Sequence, residues 1–83
     1  MLLTKQTAID KIEVLENGVV QVREIVRIME DGKELSATYN RWMLNPTDSL
    51  TGQNEKVMAV CNAVWTEAVI AAYQAQVAAQ RNV

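Results

Sequence analysis

The 83 residues predict an α+β fold, a three-stranded antiparallel β-meander packed against a long C-terminal α-helix. Three observations carry that prediction. Asn17-Gly18 and Asp31-Gly32 each sit between runs of apolar and β-branched residues, a strong short-range signal for tight hairpins. Residues 54–80 contain no Gly or Pro and are rich in Ala, Gln and Val, which favour helix or tolerate it. Between them, Asn45-Pro46-Thr47-Asp48-Ser49 is a dense cluster of turn formers that ends the sheet.

The chain reads as one domain over 1–83: an arm at 1–8, the meander at 9–44, a loop at 45–53 and the helix at 54–80. In the arm, Leu2 and Leu3 have no evident partner, so they either dock on a neighbouring subunit or fray. Two-residue type I′ loops would place Leu15 opposite Val20, Glu13 opposite Val22, Ile28 opposite Leu35 and Glu24 opposite Tyr39. The core face would then carry Ile9, Leu15, Val20, Val22, Val26, Ile28, Leu35 and Met43. Lys11, Glu13, Glu24, Tyr39 and Arg41 would share that face as a buried polar cluster. They would form a small ligand pocket or an ion-pair network; the plainer alternative is a charge pair at a sheet edge that reaches solvent. The opposite face would expose Trp42 beside Val14, Val19 and Leu44, an apolar patch flanked by Arg23 and Arg27.

Thr51 or Asn54 is the expected helix cap. At about 100° per residue, Val57, Val60, Cys61, Val64, Trp65, Ala68, Ala72, Ala75 and Ala79 form one stripe facing the sheet. Val69, Ile70, Tyr73 and Val77 fall off it, so the C-terminal half is apolar most of the way round and calls for a second covering surface. Thr66-Glu67 offers a start for a second helix, but with no Gly or Pro near Trp65 one continuous helix is the preferred reading.

Composition narrows the chemistry. A single cysteine permits no intrachain disulfide, and the absence of histidine argues against a transition-metal site. No cofactor is expected. A net charge of −2 with dispersed basic residues disfavours nucleic-acid binding. No apolar run approaches the roughly 18 residues of a spanning helix, and Met1–Leu3 is too short for a signal peptide, so membrane insertion is not expected. Cys61 lies on the helix stripe without a base, and no Ser or Thr stands in a catalytic motif, so no enzyme is expected. An 83-residue chain buries only about 60% of its unfolded surface, so self-association is expected to complete it. Trp42, Val19, Leu44, Val69, Ile70, Tyr73 and Val77 are the candidate interface residues.

Two strings, Ile12-Glu13-Val14-Leu15-Glu16-Asn17-Gly18-Val19-Val20-Gln21-Val22-Arg23 and Leu50-Thr51-Gly52-Gln53 followed by Val64-Trp65-Thr66, resemble a group of short proteins encoded by tailed bacteriophages, especially aquatic ones. The resemblance runs from about residue 9 to residue 75. The group often carries histidine in a Tyr-His-Arg context on its third strand; here Asn40 stands between Tyr39 and Arg41, so the resemblance does not carry over any activity tied to that histidine. The resemblance implies no catalytic residues. It implies a non-enzymatic phage structural or accessory protein, a small virion subunit of the tail, fibre or head-decoration class, made in the host bacterial cytoplasm. Its expected partners are further copies of itself and other virion proteins. The alternative is a non-virion factor that binds a host protein or sequesters a small nucleotide during infection, with Arg23, Arg27 or Arg41 as anion contacts.

Overall fold

A computed structural model of the chain describes residues 2–81. Met1 and residues 82–83, which the sequence reading assigns to the arm and to the end of the domain, lie outside the described residues. The strands β1 (Leu3–Val14), β2 (Val20–Glu30) and β3 (Lys33–Leu44) form an antiparallel sheet in the order β1-β2-β3. Two helices follow, α1 (Glu55–Val64) and α2 (Glu67–Arg81). The class is α+β, as expected, with two differences. From Leu3 onward the expected arm belongs to β1, pairing with β2 as far as Leu3–Glu30. The expected single helix is broken at Trp65-Thr66.

The first hairpin corrects the register. The amide of Gly18 donates to the Leu15 carbonyl at 3.0 Å and that of Leu15 to the Val19 carbonyl at 2.8 Å, which closes a three-residue loop. Gly18 alone takes positive φ (+90°) there, while Asn17 does not. Its side chain instead accepts from the Val19 amide at 3.1 Å. This is a type I turn followed by a left-handed glycine, the usual three-residue hairpin, and not a type I′ turn. The extra loop residue flips residues 11–14, and the bulge between Ile9 and Lys11 returns Ile9 to the α1 side, opposite Glu24. Val14 now faces Val20 and Ile12 faces Val22, while Glu13 and Lys11 turn to the other side beside Gln21 and Arg23.

The second turn is the expected I′ type, with Asp31 at φ +49° and Gly32 at +84°, and it pairs Glu30 with Lys33 and Met29 with Glu34. A bulge then leaves Leu35 unpaired and sets Ile28 against Ser36. Beyond it, Trp42 lies opposite Val22 and Leu44 opposite Val20. The sheet therefore turns Val20, Val22 and Leu44 toward α1, where they meet Val57 and Cys61 in the buried core. Ile9, Ile12, Trp42, Leu50, Val60 and Trp65 pack around it.

Asn54 caps α1, its side chain accepting from the Lys56 amide at 2.8 Å. The helix stops because Trp65 is held elsewhere. Its amide still donates to the Cys61 carbonyl at 2.8 Å, but its backbone leaves the helical region (φ −84°, ψ 70°). The indole N–H reaches the Gly18 carbonyl at 2.7 Å. Thr66 then caps α2, its hydroxyl accepting from the Val69 amide at 3.3 Å and its carbonyl from the Ile70 amide at 2.9 Å.

The break resets the helical phase. In α2 the half-buried residues are Val69, Ile70, Tyr73 and Val77, while Ala68, Ala72, Ala75 and Ala79, expected to continue the α1 stripe, are exposed. The molecule is long, 58 × 26 × 20 Å, with a radius of gyration of 16.9 Å against about 12 Å for a compact domain of this length. α1 covers only the end of the sheet near the first hairpin, and the sheet beyond Ile9 projects past it.

Candidate functional site

The outer face of the sheet, turned away from α1, holds the densest arrangement of charged and aromatic side chains. A bulge in β1 makes Asp10 an extra residue between Ile9 and Lys11 and aims it at Arg23. The two side chains form a bidentate pair: Arg23 Nη2 donates to Asp10 Oδ2 at 2.8 Å, and Nε to both carboxylate oxygens at 3.1 Å. Hydrogen bonding to Arg23 holds the Asp10 carboxyl below its ordinary range, and the same bonds raise the Arg23 guanidinium. Lys11 pairs with Glu13 at 2.5 Å, which likewise lowers the Glu13 carboxyl.

Tyr39 stands at the centre of this face. The Arg23 guanidinium carbon lies 4.7 Å from its ring centroid and that of Arg41 5.7 Å, so both cations stand within reach of the ring. Beneath them Ile25, in register with Ala8 and Tyr39, is only 5% exposed although α1 is on the opposite face. The stems of long polar side chains give this face a small apolar floor of its own. A shallow hollow of about 390 Å³ lies next to it, lined by Lys11, Glu13, Gln21, Arg23, Arg41 and Met43. Arg23 is engaged by Asp10, and Arg27 by Glu34 at 3.1 Å. Among the described residues, Arg41 forms no ion pair.

These positions correct two expectations. The predicted buried polar cluster is neither buried nor on one face. Lys11, Glu13, Tyr39 and Arg41 share the exposed outer face. Glu24 lies on the α1 side, where it accepts from Asn40 Nδ2 at 3.3 Å. Trp42, Val19 and Leu44 do not make an exposed patch either. Val19 and Leu44 are each 6% exposed, and Trp42 packs on the core with its indole N–H donating to Gln53 Oε1 at 3.1 Å. Both errors come from an extra residue in each hairpin, the third loop residue of the first and the Leu35 bulge of the second, which exchange the faces of residues 11–14 in β1 and 36–44 in β3.

The helix residues of the candidate interface are placed differently. Val69 packs at the first hairpin, its Cγ1 lying 2.5 Å from where a Cβ on Gly18 would stand. A groove of about 750 Å³ runs between that hairpin and α2, with Leu15, Asn17, Val69, Ala72, Tyr73 and Gln76 in its walls. Ile70, Tyr73 and Val77 remain half-exposed. Cys61 is fully buried, and burial pushes its thiol up, away from the reactive thiolate. Sequence reasoning did not single out Asp10, which becomes a partner of Arg23 only through the bulge.

The architecture defines a class: an open, two-edged meander with a short helix over one end and a second helix leading away. No family model, curated protein or solved structure matches the chain, so the class rests on the geometry alone.

Proposed function

We propose that the chain is a non-enzymatic assembly subunit, and that it serves as a small structural or accessory protein of a bacteriophage particle. One observation carries the assembly part. The accessible surface is 5936 Å², against about 5,000 Å² for a compact monomer of this mass. The excess of roughly 1,000 Å² is close to the ~800 Å² that each partner buries in a standard interface. Much of it is apolar: Leu2, Leu3, Leu35 and Met43 are each more than half exposed. The phage setting rests on the resemblance of the strings around Asn17-Gly18 and Val64-Trp65-Thr66. Size-exclusion chromatography with light scattering, together with mass spectrometry of purified particles, tests both parts. A stable oligomer recovered in particles at fixed copy number is expected; a clean monomer missing from particles would count decisively against the proposal.

A second reading has one observation in its favour. Arg41 is a cation without a carboxylate partner among the described residues, beside a hollow also lined by Lys11. A non-virion factor that holds an anion of a small nucleotide or of an acidic host surface would use it. Calorimetric titration with nucleotides distinguishes the readings, and no heat is expected if the chain acts by assembly.

A further inference from the structure

We infer that the free edge of β3 is the surface on which a second copy of this chain docks, as an antiparallel strand running through the two-fold axis at Asn40. The inference rests on the self-association reading and specifies it. Both outer strands expose an unpaired edge, and natural sheets blunt such edges with bulges, lysines or prolines. β1 is blunted: its bulge falls at Asp10, and Lys5 and Lys11 stand along it. β3 carries such features only beside the turn, at Lys33 and the Leu35 bulge; from Ser36 to Leu44 it runs in unbroken register with β2, and that run contains no lysine and no proline.

The register follows from the run itself. Asn40 is the midpoint between Ser36 and Leu44, so only an axis through Asn40 uses the whole regular segment in both copies. It sets Tyr39 of each copy opposite Arg41 of the other, and Ala37 opposite Met43. The unpaired guanidinium of Arg41 then gains the ring of a second tyrosine, and Met43, 59% exposed in the single chain, gains an apolar neighbour. Asn40 meets its own copy, and a carboxamide, carrying both donor and acceptor, can bond to its equal. An axis at Arg41 would oppose two guanidinium groups, and one at Tyr39 would run into the Leu35 bulge. The product is a six-stranded sheet with one outer edge on each side, both of them the blunted β1.

Cysteine cross-linking tests this edge. Directly opposed residues of antiparallel strands have Cα atoms about 4.5–5.5 Å apart, inside the roughly 4.4–6.8 Å span of a disulfide. Asn40→Cys in the full chain, with buried Cys61 retained, should convert to a covalent dimer under mild oxidation. Gln6→Cys on the β1 edge should not. Arg41→Glu should raise the dimer dissociation constant by about tenfold, since two cation–π contacts are lost per dimer. A wild-type dimer in which Asn40→Cys stays reduced, or in which Gln6→Cys cross-links instead, overturns the β3 edge and leaves self-association standing. A wild-type chain that sediments as a monomer overturns both.

Discussion

The indole N–H of Trp65 donates to the backbone carbonyl of Gly18 at 2.7 Å, joining residues 47 positions apart. This bond ties the helical region to the first hairpin. It also explains why the helix ends where no Gly or Pro stops it. Trp65 cannot both continue α1 and turn its ring toward Gly18, and Thr66 is at hand to cap the next helix.

Trp65→Phe keeps an aromatic side chain, smaller than the indole, and removes the donor. Gly18 is buried, so its carbonyl loses a partner that water does not readily replace. The expected cost is about 1–3 kcal/mol in urea unfolding. Hydrogen exchange should quicken in α2 while the β2 amides under α1 keep their protection. Equal acceleration everywhere would show that the bond does not specifically anchor α2.

Gly18 and Gly32 both occupy positive φ, yet they differ in surroundings. A Cβ at Gly18 would stand 2.5 Å from Val69 Cγ1 and 3.3 Å from Pro46 Cγ, whereas nothing lies within 4 Å of one at Gly32. Gly32→Ala should cost only the backbone term, roughly 1–2 kcal/mol. Gly18→Ala should cost more than that. Val69→Ala should recover part of the Gly18→Ala loss and none of the Gly32→Ala loss. Thermal melts of the wild type, the three single variants and the two double variants check the cycle.

Leu44 and Met43 are neighbours with opposite fates, 6% and 59% exposed. Leu44→Ala should destabilise the chain by about 2–5 kcal/mol. Met43→Ala should stay within about 0.5 kcal/mol in the monomer. The reverse order would restore the register without the Leu35 bulge. Denaturant titration at low protein concentration separates these outcomes from any effect on association.

The Asp10–Arg23 pair sets a pH dependence. Hydrogen bonding to Arg23 holds the Asp10 carboxyl below the ordinary value of about 3.9. A carboxyl lowered in the folded state binds fewer protons there than in the unfolded chain. Its stabilisation is therefore complete above the ordinary value and is lost as pH falls through the lower, folded one. Glu13, lowered by Lys11, adds in the same direction. Stability should thus decline below about pH 4, and Asp10→Asn should flatten that decline. An unchanged acid limb in Asp10→Asn would show that the pair contributes nothing in solution.

The sequence by itself determined the number and order of the strands, the second turn, a helix cap at Thr51 or Asn54, of which the structure uses Asn54, and the burial of Val20, Val22, Val57 and Cys61. Each of these follows from local chemistry: an Asp-Gly pair accepts two positive φ values, an Asn side chain satisfies a free helix amide, and β-branched runs favour extended backbone. Tertiary structure decided the faces. Asn17-Gly18 fits both a two-residue and a three-residue loop, and the choice between them follows from which residues of β1 the helix will cover. The three-residue loop buries Ile12 over Val22 and sends Lys11 and Glu13 to water, an outcome that no residue in the turn encodes. The bulge at Leu35 does the same for Trp42 and Leu44, because turning both inward covers more apolar surface than turning Tyr39 and Met43 inward. The helix break belongs to this second group as well. Thr66-Glu67 offers a second helix start in the local sequence, but the choice of a break over a continuous helix goes with the Trp65 indole reaching Gly18, far away in the chain.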